Sequence, residues 1–275
     1  MLVSNPNSRQ AVTAAHVDVE NVSKTFPVAD GTAPVHALGP VTFSVGRGEF
    51  FAVVGPSGCG KSTLLDLIAG LSRPTSGRVV FEGAELRGDI PEGVGAVFQE
   101  DASFYWLDVT ENIAFGLRRS GVDAAEVRRR VDYAIGFMGL RDFAHAFPAQ
   151  LSGGMRQRMC IARTLVMQPR LILLDEPFGA LDQQTRLLMG DELLRLWRET
   201  GASIFLITHS LDEAAMLADR VGVMSARPGR FMEMIATGWP RERTSEIIAD
   251  PAFGPVTAHI WTLLRKESLA AMART

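Results

Sequence analysis

The sequence predicts an α/β fold, in which an antiparallel β layer leads into a mostly parallel sheet that is interrupted by a helical segment. Three short runs are almost wholly apolar, as in strands that are buried on both faces: Phe50–Val54, residues 171–174 and Ser203–Ile207. Upstream of them, apolar and polar residues alternate from 41 to 45, which is typical of a half-exposed strand. Residues 100–168 change to helical periodicity, and this places a group of helices between the first two buried strands.

The composition limits the possible classes of protein. The chain has 275 residues, of which 47% are hydrophobic, and this suffices for one large domain or for a core domain with a subdomain. The net charge is -3 without a basic block, so nucleic acid is not expected to be a partner. Cys59 and Cys160 do not make a disulfide framework, and reduced thiols are the simpler interpretation. No run approaches the ~20 apolar residues of a membrane span, so we expect any link to a membrane to come through a partner.

A glycine-rich stretch follows the first buried strand and fits the pattern G-x-x-x-x-G-K-[ST]. Residues 62–71 are predicted to form a helix, which completes the strand–loop–helix context of a P-loop NTPase core. Backbone N–H groups would face a phosphate chain, Lys61 could reach the β- and γ-phosphates, and the Ser62 hydroxyl could bind Mg²⁺. A glycine-rich turn that carries a lysine by chance is the alternative, and the flanking strand and helix argue against it. The predicted nucleotide-binding residues of this loop are Gly55, Pro56, Ser57, Gly58, Cys59, Gly60, Lys61, Ser62 and Thr63.

Polar residues end three further strands of the predicted sheet, at the edge where parallel α/β sheets bind their ligands. Asp175 and Glu176 follow the second buried run, and two carboxylates there are costly unless they serve a cation or a proton transfer. Asp175 suits Mg²⁺, and Glu176 suits a general base for water. A lone histidine is usually structural, but His209 follows the third buried run and could bond a γ-phosphate. Gln99 follows a short strand and fits a ligand contact or an ordinary surface glutamine equally well.

Two other features have both a structural and a functional interpretation. Ser152, Gly153 and Gly154 open a predicted helix and leave its first N–H groups open to an anion, although an ordinary serine cap is the alternative. Phe26 is a lone aromatic residue after the first strand, and it could stack on a base or belong to the core. Taken alone, its position favours the core.

Local signals also predict where helices and turns lie. Thr110 is expected to cap one helix, and Asp123 with Glu126 is expected to form a capping box at the next. Residues 221–235 read as two strands around a turn, and residues 258–272 suit a final amphipathic helix.

In this order the motifs resemble those of the ATP-binding subunits of ABC transporters, over residues 17–235. The phosphate loop is similar to Walker A, Gln99 falls at the Q-loop, and residues 171–176 look like Walker B with its adjoining glutamate. Residues 151–157 resemble the LSGGQ signature, with Met155 in place of the signature glutamine. This signature is far more diagnostic than the phosphate loop, which many NTPases share.

The resemblance continues with Asp182 in the D-loop and His209 as the switch histidine. It implies a head-to-tail dimer, with ATP bound between the phosphate loop of one subunit and residues 152–154 of a second copy, near Asp182. Phe26 stands where relatives usually have a tyrosine that stacks on the base. Stacking remains possible with phenylalanine, but the hydroxyl is lost.

The resemblance also implies the roles of the residues around the phosphates, with ATP and Mg²⁺ as the cofactors. Ser62, Gln99 and Asp175 would hold Mg²⁺. The catalytic residues would be Glu176, His209 and Gln99. Glu176 would polarise water, and His209 would sense the γ-phosphate. Hydrolysis of this kind needs mostly positioning and charge stabilisation.

The resemblance narrows further within the family, because residues 111–117, 154–158 and 176–182 look like those of importer subunits for nitrate, sulfonates and taurine. The 40 residues 236–275 are too few for the regulatory domain of sugar-importer subunits. We therefore expect an ATP-binding and ATP-hydrolysing subunit that powers such an importer. The alternatives are an exporter subunit, with the same chemistry, and a soluble ABC ATPase, which needs a coiled-coil insertion or tandem cassettes.

The resemblance further implies integral membrane permease subunits as partners, and through them an extracytoplasmic solute-binding protein. Phe104, Tyr105 and Trp106 are expected to line the groove for the permease, and burial in the core is the alternative. The expected location is peripheral, on the cytoplasmic face of the inner membrane.

The expected division of the chain has three parts. Residues 1–15 form a disordered lead-in, and residues 16–240 form the ATPase domain with a helical subdomain at about 100–168. Residues 241–275 form a tail with a helix.

Overall fold

The computed structural model describes residues 15–27, 33–99 and 102–272. The predicted lead-in lies outside the described residues except for Ala15, which begins the first strand. In chain order the elements are β1 (Ala15–Phe26), β2 (Val35–Gly46), β3 (Phe50–Val54), α1 (Lys61–Ile68), β4 (Ser76–Phe81), β5 (Ala84–Glu85), β6 (Val94–Val97), α2 (Val109–Arg119), α3 (Ala124–Phe137), α4 (Gly153–Leu165), β7 (Leu171–Asp175), α5 (Gln183–Thr200), β8 (Ser203–Ile207), α6 (Leu211–Leu217), β9 (Arg220–Met224), β10 (Phe231–Ala236) and α7 (Phe253–Met272). Short 3-10 helices lie at Arg141–Phe143, Pro148–Gln150 and Ser245–Ala249.

Strands β1, β2, β4 and β5 form an antiparallel sheet in the order β2-β1-β4-β5. In its central pairing Val17 lies opposite Val45 and Val19 opposite Phe43, so the apolar side chains of both strands share one face. These side chains are buried. The predicted alternation at residues 41–45 therefore marks the inner face of this layer.

The second sheet has six strands in the order β10-β9-β3-β8-β7-β6. The strands from β9 to β6 run parallel, and β10 pairs antiparallel with β9. Every residue of β3, β7 and β8 is buried, as expected for parallel strands covered on both faces. The carboxyl ends of these three strands meet at one edge, and the phosphate loop, Asp175 and the segment that follows β8 all lie there.

Two apolar cores lie on opposite faces of this sheet. Phe50, Ala52 and Val54 of β3 point into the core shared with α2–α6. Phe51 and Val53 point into the core shared with α1 and the antiparallel sheet. Because successive side chains of β3 point to opposite faces of the sheet, this strand packs into both cores. The phosphate loop therefore follows a strand that is fixed on both sides.

The caps of α2 and α3 differ from their predictions. Asp108, not Thr110, caps α2: its carboxylate accepts from the Glu111 N–H at 2.7 Å, and Glu111 reaches back to the Asp108 N–H. Thr110 lies in the first turn, and its hydroxyl donates to the Ala144 carbonyl at 2.8 Å. Asp123 caps α3 as predicted, accepting from the Ala125 N–H at 2.9 Å.

The capping box predicted at α3 is only half formed, because the carboxylate of Glu126 has stronger partners nearby. It accepts from Arg129 at 2.7 Å and from Arg130 at 2.6 Å. Downstream, α7 begins at Phe253, five residues before its predicted start at 258. Asp250 accepts from the Ala252 N–H at 2.8 Å and turns the chain into that helix.

Candidate active site

The phosphate loop, residues 55–63, leaves β3 and leads into α1, and its glycines have two separate structural reasons. Gly58 and Gly60 have φ of 72° and 101°, which side chains rarely adopt. A Cβ on Gly60 would also lie 2.8 Å from the Ala37 carbonyl, and one on Gly55 would lie 2.9 Å from Cys59 Sγ. The loop is therefore packed closely against its surroundings as well as sharply bent.

The start of α1 is open to an anion. Gly60 caps this helix without a side-chain hydrogen bond, so no side chain accepts from its first N–H groups. Lys61 is buried at the same place, and its ammonium donates to the carbonyls of Gly55 at 2.9 Å and Pro56 at 3.1 Å. A phosphate oxygen can replace these acceptors, because the ammonium already lies inside the loop.

Cys59 has its thiol buried beside the loop, where Sγ lies 3.9 Å from Lys61 Nζ. The residue is 1% exposed, and burial raises the pKa of the thiol, against a smaller opposite effect of Lys61. The Cys59 N–H donates to the Pro56 carbonyl at 3.3 Å. In this conformation the thiol belongs to the core beside the loop.

Asp175 and Ser62 form a site that fits Mg²⁺. Asp175 ends β7 and is buried, and its carboxylate accepts a hydrogen bond from the Ser62 hydroxyl. Burial raises the pKa of Asp175, the Ser62 hydrogen bond and Lys61 oppose this, and Glu176 adds to it. A cation would relieve a buried carboxylate in this position, and both residues offer the oxygen ligands that Mg²⁺ prefers. The described residues hold no cluster of three or more His, Cys, Asp or Glu side chains able to bind a metal.

The three predicted catalytic side chains meet at one carboxylate. Glu176 Oε2 lies 3.3 Å from Gln99 Nε2 and 3.1 Å from His209 Nδ1. The Glu176 N–H donates to the Ile207 carbonyl at 2.9 Å, which ties β7 to β8 at this edge. Glu176 has a φ of 48°, and an unfavourable backbone conformation of this kind at a non-glycine residue is typical of functional sites.

A buried acid that the sequence analysis missed lies behind His209. Glu213 is 6% exposed, and its carboxylate accepts from the Thr208 hydroxyl at 2.9 Å. Burial raises the pKa of Glu213 to about 7, against opposite effects of Thr208 and Arg186. The available signal was an acidic residue inside the otherwise buried stretch of α6. Glu213 thereby holds the residue next to His209 through a side chain that titrates near neutral pH.

Ser152 is a helix cap, as its structural interpretation predicted, and its anion-binding role stays a prediction. Its hydroxyl caps α4 by accepting from the Met155 N–H at 3.3 Å, which leaves the first N–H groups of the helix without that acceptor. Gly154 lies against the turn before α5, since a Cβ there would be 2.5 Å from Leu181 Cδ2. Asp182, in that turn, caps α5 by accepting from the Thr185 N–H at 3.0 Å. The Thr185 hydroxyl and N–H lower the pKa of Asp182.

Phe26 is 41% exposed at the end of β1, and the Lys24 ammonium lies 5.0 Å from the centre of its ring. The core interpretation of Phe26 is therefore wrong. An exposed ring of this kind is available to stack on a base.

The segment 104–107 forms an aromatic surface at the start of α2. Tyr105 is 71% exposed and Trp106 is 67% exposed, whereas Phe104 packs on Phe115 with ring centres 4.5 Å apart. Beside it a cleft of ≈ 430 Å³ is lined by Trp106, Leu107, Glu111, Phe115, Arg118 and Arg119. Burial of all three aromatic side chains in the core is thus excluded.

Asn112 is a second buried residue that the sequence analysis missed. It accepts from the Phe104 N–H at 2.9 Å and donates to the carbonyls of Phe104 at 3.0 Å, Leu107 at 2.8 Å and Asp108 at 3.0 Å. Asn112 is 0% exposed, so its hydrogen bonds hold the segment 104–107 from the buried side. Only its polar character on the apolar face of α2 could have marked it.

Comparison with known proteins agrees with this arrangement. A family model described as ABC transporter matches residues 38–179, which are 142 of the 275 residues. The chain belongs to the ABC transporter family. It is an ATP-binding, ATP-hydrolysing transport subunit of that family, and the family predicted from the six motifs is confirmed.

Relatives of known name cover most of the chain. The taurine import ATP-binding protein TauB of Pelagibacter ubique is 47% identical over 212 residues, which cover 77% of this chain and 79% of that protein. TauB of Jannaschia sp. is 40% identical over 261 residues, covering 94% and 97% respectively. The dimeric ATP-binding cassette MJ0796 in a post-hydrolysis state with ADP and Pi matches with a TM-score of 0.73 at 30% identity, covering 82% of this chain and 100% of that one. The predicted α/β fold is confirmed.

Proposed function

We propose that this ATPase powers an ABC importer for taurine, another sulfonate, nitrate or a related small solute. The observation that carries the catalytic part is the convergence of Gln99 and His209 on Glu176 beside the phosphate loop. Import is favoured over export because the named relatives are import proteins. The named import relatives also disfavour the rival soluble ABC ATPase, and the described residues contain no coiled-coil insertion.

In this proposal the phosphate loop holds the β- and γ-phosphates through its backbone N–H groups and Lys61. Ser62, Asp175 and Gln99 would hold Mg²⁺, which would supply positive charge to neutralise the phosphates. Glu176 takes a proton from the attacking water. Because Glu176 Oε2 is engaged by Gln99 and His209, a γ-phosphate that attracts His209 would free this oxygen for the water.

The proposal includes a head-to-tail dimer. The open start of α4 at Ser152, Gly153 and Gly154 would meet the ATP bound by a second copy, with Asp182 close by and Phe26 stacked on the base. Dimeric ATP-binding cassettes are among the structures that this chain resembles, which supports the arrangement.

The proposed membrane partner is a permease, which would dock on Tyr105, Trp106 and the adjoining cleft. No helix in the described part of the chain combines the length and the hydropathy that a membrane span requires. We propose that the subunit is peripheral, on the cytoplasmic face of the inner membrane, and that a solute-binding protein acts through the permease. The division into an ATPase domain over residues 16–240 and a tail belongs to the same proposal.

The proposed role of Glu176 is tested by Glu176→Gln. Glutamine keeps the size of the side chain but cannot accept the proton, so turnover should fall by about 10²- to 10⁴-fold. The loss of a negative charge facing the γ-phosphate should also prolong the ATP-bound dimer. Phosphate release and size-exclusion chromatography with ATP and with ADP measure the two effects.

Lys61→Ala is the matched control, since it should lose nucleotide affinity first and dimerisation as a consequence. A Glu176→Gln chain that hydrolyses ATP at the wild-type rate, or that stays monomeric with ATP, would contradict the proposed mechanism.

A further inference from the structure

The C-terminal helix α7 reaches the turn that supports the phosphate loop. Its buried residue Ile260 anchors the middle of the helix, and the aromatic ring of Phe253 stacks on Trp239. Further along the helix, a carboxylate oxygen of Glu267 accepts from the backbone N–H of Ala226 at 2.8 Å. Ala226 lies in the β9–β10 turn, residues 225–230, so α7 holds this turn from outside.

The 225–230 turn packs directly on the phosphate loop. A Cβ on Gly229 would overlap the carbonyl oxygen of Cys59, so the two backbones are in direct contact. Gly229 also donates to the Ala37 carbonyl at 3.1 Å and accepts from the Gly39 N–H at 3.0 Å, which fixes it to β2. The phosphate loop is therefore seated between β2 and this turn, and a shift of the turn would move the Cys59 carbonyl.

We propose that Glu267 is a positioning residue for nucleotide binding, because it holds the 225–230 turn against the phosphate loop. This rests on the proposed assignment of that loop as the nucleotide site. Glu267 lies outside the predicted nucleotide-binding residues and accepts from the Ala226 N–H, so it acts through Ala226 and Gly229. The tail helix thus contributes to nucleotide affinity, and not only to the stability of the domain.

The test compares Glu267→Ala with Glu267→Gln in the full chain. Alanine leaves the Ala226 N–H without its acceptor, whereas glutamine retains an acceptor oxygen. We expect Glu267→Ala to raise the Kd for Mg-ADP, measured by calorimetry, and the KM for ATP by about 3- to 10-fold, with kcat unchanged within about twofold. Glu267→Gln should stay within about twofold of the wild type in all three.

The matched control is Glu233→Ala. Glu233 on β10 binds His259 of α7 at 2.9 Å, so this variant removes another polar contact of the same helix without touching the 225–230 turn. It should leave Kd and KM as in the wild type. An unchanged Kd in Glu267→Ala, or an equal rise in Glu233→Ala, would overturn the inference.

A wild-type measurement decides the matter if Glu267→Ala does not fold. Coupling is reciprocal, so Mg-ADP should slow hydrogen exchange in α7 peptides as well as in the 225–230 turn. Unchanged exchange in α7 on binding would refute the coupling. A wild-type chain that binds no Mg-ADP would contradict the proposed function itself, which separates the two failures.

Discussion

Replacing Glu213 by glutamine should remove a pH dependence of stability that the burial of this carboxyl creates. Burial raises its pKa from 4.5 to about 7 in the folded chain. Its Oε1 is buried and has no hydrogen-bond partner among the described residues, so a negative charge there is poorly compensated. Between the two pKa values, 4.5 and about 7, the folded state therefore holds a proton on Glu213 that the unfolded state has already released.

The sign and size of the effect follow from this difference. Because the folded-state pKa is raised, the contribution to stability is present below the unfolded pKa and is lost as the pH rises through the folded value. The 2.5-unit difference between 4.5 and about 7 corresponds to about 3 kcal/mol, most of it lost between about pH 5 and pH 8. Glutamine cannot ionise, so the Glu213→Gln variant lacks this loss.

Urea unfolding of the nucleotide-free chain across this pH range measures the free energy of unfolding. As the pH rises, the free energy of unfolding of the Glu213→Gln variant should increase relative to that of the wild type by about 2 to 3 kcal/mol. Glu242→Gln, at an exposed position, is the matched control and should follow the wild type. Parallel curves for Glu213→Gln and the wild type would refute the reasoning.

Two further predictions concern buried groups. Asn112→Ala removes the hydrogen bonds that hold the segment 104–107, so assembly with the permease, measured by pull-down, should weaken. Mg-ADP binding by the isolated chain, measured by calorimetry, should stay within about twofold of the wild type. Normal assembly of the variant would contradict this prediction. The residues Cys59 and Cys160 are 1% and 6% exposed, so a thiol reagent should label both slowly in the folded chain and rapidly in urea. Fast labelling of Cys59 without urea would contradict this and show that the loop opens.

The parts of the site that could be predicted from the sequence share one physical cause. Runs of apolar residues identify strands buried on both faces, and parallel strands end at the same edge of their sheet. Polar residues directly after such runs must then lie near one another. Glu176 and His209 follow β7 and β8, Gln99 follows β6, and the structure brings all three side chains together.

The start of α2 had a local signal that the prediction did not use. Asp108 and Thr110 are both suitable caps, but Glu111 lies three residues after Asp108 and completes a capping box with it. Ile113 lies at the same distance from Thr110 and cannot do so. Distant contacts agree with this start, because the N–H groups of Val109 and Thr110 donate to the carbonyls of Ala146 and Ala144.

The functional residues that were missed have a common property. Asn112, Glu213 and Glu267 each bind another segment of the chain that carries or supports a predicted site: the aromatic surface, the residue before His209, and the turn under the phosphate loop. A sequence motif identifies side chains that contact the ligand, whereas the groups that hold them belong to other elements and depend on the fold. A hydrogen bond of this kind contributes only about 1 to 3 kcal/mol, yet at a site whose geometry must be held within fractions of an ångström that is enough to change affinity or rate. Substitutions at these three positions should therefore alter three different properties, namely partner assembly, the pH dependence of stability and nucleotide affinity, without altering any of the residues predicted to contact ATP or Mg²⁺.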